Sequence, residues 1–254
     1  MYIFKKMMCA GLLRIASMSI MLAISLNAAT ASEARPLSFP ILKLSPYSFY
    51  DKNGNSQGYL FEIFTAILEN SGQNEIVKIV PLKRMLKEFK SGFHDCTLIA
   101  DTPLSKSLFR IIEPIGSKIR GGILPAADKT ITTYEMLNSL EIGVPLGVSF
   151  HKKFDADSHL KKIETTDYLE SVRMLVHDRL DAVAGNIDSF YFNAKKIGYP
   201  VASTFGEPLV LTSLDIVLAC NEHNPSDELI QKLKMSLLEL RENGKIQQII
   251  NKYL

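Results

Sequence analysis

The chain has 254 residues, 46% of them hydrophobic and 22% charged, with 29 basic residues against 27 acidic ones and a formal net charge of +2. This composition belongs to a globular protein long enough for one large domain or two ordinary ones, and it excludes a disordered chain. The near balance of charge excludes a dedicated electrostatic grip on nucleic acid or on an anionic membrane.

Residues 1–31 read as a removable signal peptide. Lys5 and Lys6 form a basic start, Ile15 to Leu26 an apolar run, and Ala29-Thr30-Ala31 offers the small residues of a cleavage site. A membrane anchor is the rival reading. The run is short for a span, Arg14 lies just upstream, and no stop-transfer pattern follows. Cys9 precedes the run, the wrong side for a lipidated cysteine. Without Lys5, Lys6 and Arg14, 26 basic residues face 27 acidic ones. No later window resembles a transmembrane helix, so the mature chain is expected to be soluble and periplasmic.

Phe39 to Leu42 is a short strand, ended near Ser45-Pro46 because proline cannot donate a ladder bond and disfavours helix before it. Asp51-Lys52-Asn53-Gly54-Asn55 is a turn: Asn-Gly tolerates positive φ, and Asp51 can cap its own backbone. From Tyr59 the apolar spacing becomes helical through Leu68. Ile76 to Val80 is a strand, Leu82 to Phe89 a helix stopped by Ser91-Gly92, and Cys96 to Ala100 a buried strand. Asp101-Thr102-Pro103 is a turn. Glu113-Pro114 through Gly121-Gly122, with one proline and three glycines, is a composition break expected to cross between domains.

The middle third repeats the alternation. Thr132-x-x-Glu135 is a capping box before a helix, Ile142 to Val144 a strand, and Phe150 a helix start after Gly147-Val148-Ser149. Asp167-x-x-Glu170 caps another helix. Ala182 to Gly185 is a strand and Ile187 to Lys196 a helix ended by Gly198. Glu207-Pro208-Leu209 opens a second crossing, Ile216 to Ala219 is a strand, and two helices separated by Gly244 close the chain. Alternating β and α units with two breaks predict a two-lobed α/β protein. The expected lobes are residues 32–118 with 212–254, and residues 119–211. Two connecting strands permit hinge closure around a ligand.

Six short stretches, in order, resemble a known family. They are Leu44-Ser45-Pro46-Tyr47-Ser48-Phe49 with Gly58 to Ile63, Phe89 to Cys96, Ile111 to Pro114, Ile142 to Ser149, Asp178 to Val183, and Leu237 to Tyr253. Together they resemble the type II periplasmic solute-binding proteins, specifically extracellular solute-binding family 3, which includes the polar amino-acid receptors of ABC transporters. The resemblance covers about Leu37 to Leu254. It implies a mixed sheet flanked by helices in each lobe, joined by two hinge strands. It also implies a monomer that closes over a small-molecule ligand and delivers it to a membrane permease, with no cofactor.

The resemblance also locates a pocket, and there the chain departs from the family. The family's carboxylate-gripping Arg follows Thr-Pro-Glu; here the run is Thr102-Pro103-Leu104-Ser105, with Ser105 in that place and Lys106 the nearest cation. The Asp that takes the α-ammonium is replaced by Asn186. Leu44 stands where an aromatic stacks on the ligand, and Leu82 forms the other wall. Ser149 matches the Ser or Thr that meets a carboxylate at a helix N-terminus. Stripping one partner from an enclosed charged contact costs roughly 2–5 kcal/mol. The expected ligand is therefore neutral or singly charged, not an ordinary α-amino acid. It is touched by Thr102, Ser105, Asn186 and Ser149 and walled by Leu44, Tyr47 and Leu82. Arg84, on a helix expected to face the cleft, either replaces the lost charge or is a solvated surface residue.

The scaffold also resembles secreted cyclohexadienyl dehydratases. The acids nearest the cleft, Glu62 and Glu113, align with structural positions, so no catalytic residue and no enzyme is expected. A soluble sensory module is the other alternative. His151 and His159 flank Asp155 and Asp157, a stretch read as a solvated loop and not a metal site. The architecture makes the strands of Cys96 and Cys220 antiparallel neighbours, with both cysteines away from the cleft. A disulfide and two buried free thiols both remain open.

Overall fold

The computed structural model describes residues 35–254. The leader expected over residues 1–31, with Cys9, and residues 32–34 of the expected first lobe lie outside the described residues. The opening unit follows its turn chemistry. Strand β1 (Pro40–Leu42) leads into a hairpin of β2 (Phe49–Tyr50) and β3 (Ser56–Gln57). In its turn, Asp51 Oδ1 accepts the backbone N–H groups of Asn53 and Asn55, both at 2.8 Å. Gly58, at φ +119°, then starts α1 (Tyr59–Asn70); a Cβ there would lie 2.4 Å from the Tyr47 carbonyl oxygen, so only glycine lets the helix begin under Tyr47. The buried face of α1 carries Leu60, Ile63, Phe64, Ile67 and Leu68, each worth roughly 1.5–3 kcal/mol of burial.

Strand β4 (Lys78–Val80) pairs parallel with β1, α2 (Leu82–Lys90) buries Met85 and Phe89, and β5 spans Cys96–Ala100. The expected turn at Asp101 to Pro103 is instead the start of a helix, α3 (Pro103–Leu108). Proline sits in its first turn, where no N–H is required, and Thr102 and Ser105 cap each other's backbone reciprocally.

The composition break at Glu113 to Gly122, expected to cross between lobes, is strand throughout. It lies inside β6 (Arg110–Pro125), a strand of 16 residues paired antiparallel with the 12-residue β10 (Leu209–Cys220). The glycines and proline mark irregularities in that ladder. Pro114 lies opposite Val217, next to a register shift between Asp215 and Val217, as befits a residue without an N–H. A Cβ on Gly122 would stand 2.4 Å from the Leu209 carbonyl oxygen, so glycine permits the close approach of the two strands.

Between them come a 3-10 turn (Tyr134–Ser139), β7 (Glu141–Pro145), α4 (Lys152–Ala156), β8 (Lys161–Thr165), α5 (Tyr168–Val176), β9 (Ala182–Asn186), α6 (Ile187–Lys196) and α7 (Val201–Thr204). The capping box expected at Thr132 does not form: Thr133 is the cap residue, without a side-chain bond, and Thr132 instead donates to the Met136 sulfur at 3.5 Å. Asp167 does cap α5, accepting the Glu170 N–H at 2.8 Å. Helices α8 (Asp227–Glu242) and α9 (Lys245–Tyr253) finish the chain.

The main sheet runs β5-β10-β6-β9-β7-β8. Side chains alternate across it, so each end of the sheet is covered on both faces. At one end Leu98, Ile216 and Leu218 face a core shared with α1, α8 and α9, while Ile99, Val217 and Ala219 face Met85 and Phe89. At the other end Val183 packs with Val172, Leu175 and Phe190, and Ala182 and Ala184 pack with Leu137, Ile142 and Phe154. Strands β6 and β10 serve both ends. Cys96 and Cys220, paired in register on β5 and β10, form a disulfide.

Candidate functional site

The cavity lies where β6 and β10 pass between the two ends of the sheet. It has a volume of about 1180 Å³. Its walls come from the loop after β1, α2, α3, the middle of both long strands, and the segment Gly147–Lys152. Most of that wall is apolar: Leu42, Leu44, Leu60, Leu82, Leu86, Ile99, Leu104, Ile119, Val148, Phe150, Leu214 and Ile216 all line it.

The polar residues in the wall are largely engaged with the protein itself. Ser105 is buried; its hydroxyl accepts the Thr102 N–H at 2.7 Å and lies 2.9 Å from the Ala100 carbonyl, to which it can donate. Thr102 Oγ1 accepts the Ser105 N–H at 3.0 Å. Asn186 caps α6 by accepting the Ser189 N–H at 2.8 Å, and its amide donates to the Tyr47 hydroxyl at 2.7 Å. Ser149 does not stand at a helix start. Helix α4 begins at Lys152, His151 caps it, and the Ser149 hydroxyl donates to Asp155 at 2.8 Å. Thr212 donates to the Phe150 carbonyl at 2.8 Å.

Two expected cations are elsewhere. Arg84 does not line the cavity: it sits on an exposed part of α2, bound to Glu88 at 2.8 Å, because the side that α2 turns inward is the one carrying Met85 and Phe89. Lys106 is likewise exposed and pairs with Asp101 at 3.2 Å. The cations that do reach the cavity are Arg120, on β6, and Lys152, at the start of α4. Arg120 escapes sequence reasoning because it sits in the Gly- and Pro-rich stretch that reads as a crossing and not as a wall. A lone Arg between Ile119 and Gly121 on an extended segment is the only signal it offers.

Arg120 belongs to a network that ties the two ends of the molecule together. Its Nη2 donates to Asp188 Oδ1 at 2.7 Å. The other Asp188 oxygen accepts the Tyr47 hydroxyl at 3.2 Å, and Ser189 Oγ donates to the Ser45 carbonyl at 2.5 Å. Burial, reinforced by Tyr59 and Asp188, holds the Tyr47 hydroxyl well above its ordinary pKa, so it remains a donor at neutral pH. Burial acts to lower the Arg120 pKa, but the hydrogen bond and charge of Asp188 outweigh it and the net shift is upward. Phe49 and Phe192 stack beside this latch with centroids 5.1 Å apart.

Asp155 Oδ2 accepts from Ser149 and the His151 N–H, and the two Asp157 oxygens accept from Tyr134 and the His159 N–H. Among the described residues, no group of three or more His, Cys, Asp or Glu is arranged to hold a metal ion.

Two halves sharing two long strands, with an open cavity at the crossing, form an architecture that known proteins share. Residues 42–254 match the family model of the bacterial extracellular solute-binding proteins, family 3. The chain belongs to that family. YxeM of Bacillus subtilis (strain 168), described as a probable amino-acid-binding protein, is 21% identical over 209 residues, covering 80% of this chain and 78% of YxeM. The ancestral amino acid-binding protein AncCDT-1, a precursor of cyclohexadienyl dehydratase, superimposes with a TM-score of 0.62 at 21% identity, over 86% of this chain and 95% of that one. A histidine kinase sensor domain with similarity to periplasmic binding proteins gives 0.64 at 17% identity, over 87% and 97%. At these identities the structural likenesses speak for the fold: the two-lobed periplasmic-binding-protein architecture.

Proposed function

We propose that this family 3 protein closes over one small solute outside the cytoplasm and hands it to the membrane permease of an ABC transporter. The observation that carries this is the cavity of about 1180 Å³ between two halves joined by β6 and β10. We take the halves as residues 32–118 with 212–254, and residues 119–211, after removal of a signal peptide over residues 1–31, and the working form as a monomer. The binding residues we favour are Leu44, Tyr47, Leu82, Thr102, Ser105, Ser149 and Asn186, with Arg120 replacing Arg84.

The kinship with YxeM speaks for an amino-acid ligand. What speaks against an ordinary one is local: Ser105 and Asn186 carry no charge, and both are engaged in helix caps. What speaks against a dehydratase is that the cavity wall carries one acid, Asp155, with Oδ2 bonded to Ser149 and the His151 N–H. A soluble sensory role draws support from the sensor-domain likeness. Incubation with a solute panel, read by melting temperature and by analysis of the recovered solute, separates the readings. A raised melting temperature with unchanged solute means a receptor, and a new product means an enzyme.

A further inference from the structure

The cavity is greasy where the family's ligands are polar, and this deepens the reading just given, on which it rests. We propose that the solute is a carboxylate with an otherwise apolar body, lacking an α-ammonium, with its acid end directed at Arg120.

Two observations carry this. The first is the wall. Leu44, Leu82, Ile99, Leu104, Phe150 and Leu214 converge on the cavity, while the hydroxyls and amide among them are bonded to the protein. A polar ligand would have to displace those bonds and would leave its own groups against hydrocarbon, which is costly. An apolar body gains by covering the leucines. The volume of about 1180 Å³ leaves room for such a body.

The second is the charge pattern. The lining contains the cations Arg120 and Lys152 and the single carboxylate Asp155, which already accepts two hydrogen bonds. An ammonium finds Asp155 alone, whose Oδ2 is already taken by Ser149 and the His151 N–H. A carboxylate finds Arg120, whose guanidinium has five N–H donors and gives one to Asp188. The Arg120 side chain is 40% exposed, and its bond to Asp188 fixes its position.

The test compares pairs with the same body: phenylalanine against 3-phenylpropanoate, leucine against 4-methylpentanoate, with decanoate as a larger probe. Titration calorimetry is expected to show 3-phenylpropanoate and 4-methylpentanoate binding at least tenfold tighter than their amino-acid counterparts. Leu82→Glu, at a position already 43% exposed, is expected to weaken these probes by roughly tenfold or more without lowering the melting temperature of the free protein. Met235→Glu, exposed and remote from the cavity, is the neutral control. Arg120→Lys keeps a cation beside Asp188 but loses the planar fork, and is expected to weaken the carboxylates several-fold. Tighter binding of the amino acids overturns the inference and leaves the receptor reading standing. Binding of neither series also overturns it, and the broader solute panel then decides the receptor reading alone. Unchanged probe affinity in Leu82→Glu overturns the wall assignment.

Discussion

Arg120 and Asp188 meet at 2.7 Å, with the Asp188 side chain only 3% exposed. Asp188 also receives the Tyr47 hydroxyl from the opposite half. Removing the carboxylate leaves a guanidinium and a buried phenol without their acceptor. Asp188→Ala is expected to destabilise the protein by about 3 kcal/mol, the low end for breaking a buried pair because Arg120 is partly solvated. Denaturant unfolding measures it, and a loss under 1 kcal/mol would show that the pair is ornamental.

The Cys96–Cys220 disulfide closes a loop across 124 positions. Cross-links of that reach restrict the unfolded chain strongly, so the double Cys→Ala variant is expected to lose about 2–5 kcal/mol. Intact-mass analysis under non-reducing conditions checks the bond first, through a 2 Da difference on reduction, roughly two protons for one bond.

His94 sits in a buried corner, with Ser38 on one ring nitrogen and Glu88 on the other, both at 2.9 Å. Burial pulls its pKa down, against the opposing pull of Glu88 and Asp95, with Lys78 adding to the lowering. The unfolded chain therefore binds this proton more readily than the native one. Stability from the site is complete above the unfolded value of about 6.5 and is lost as pH falls below it towards the native pKa. Melting curves should drop between about pH 7 and 5, and His94→Gln should flatten that drop. An equally steep curve in the variant would assign the drop to other groups.

Ser105 is a cap before it is anything else. Ser105→Ala removes half of the reciprocal cap on α3, at a cost of about 0.5–2 kcal/mol. Ser105→Arg should cost more and should not create α-amino-acid binding, because the position is 2% exposed and a long side chain has no room to lie there. Restored binding of a free amino acid by that one change would show that the pocket is closer to the family's than the cap suggests.

The strongly patterned segments were legible from the sequence alone. Tyr59–Asn70, Cys96–Ala100 and Ile187–Lys196 follow from periodicity, turn chemistry and stop signals. The antiparallel neighbourhood of Cys96 and Cys220 came from the family resemblance and holds in the structure. The departures have separate causes. Pro114, Gly116, Gly121 and Gly122 punctuate β6 without ending it, because bulges and a close partner strand absorb their irregularity. Reading them as a break hid Arg120. Thr102-Pro103 was read as a turn although the same residues start α3. Of the two readings open for Arg84, the solvated one holds, because which way a helix turns its charged side depends on packing that no local pattern encodes.

The core beneath α1 is built from the two distant ends of the described chain. Phe39, Ile63, Phe64 and Leu98 meet Leu218, Leu233, Leu237 and Ile250, while the two cores at the far end of the sheet are filled by residues lying between those groups. A chain emerging from its N-terminus can thus complete its middle early, but its first hundred residues must wait for the last forty. Until then those early apolar segments stay uncovered, so the front of this molecule is more exposed to aggregation while it folds than its centre.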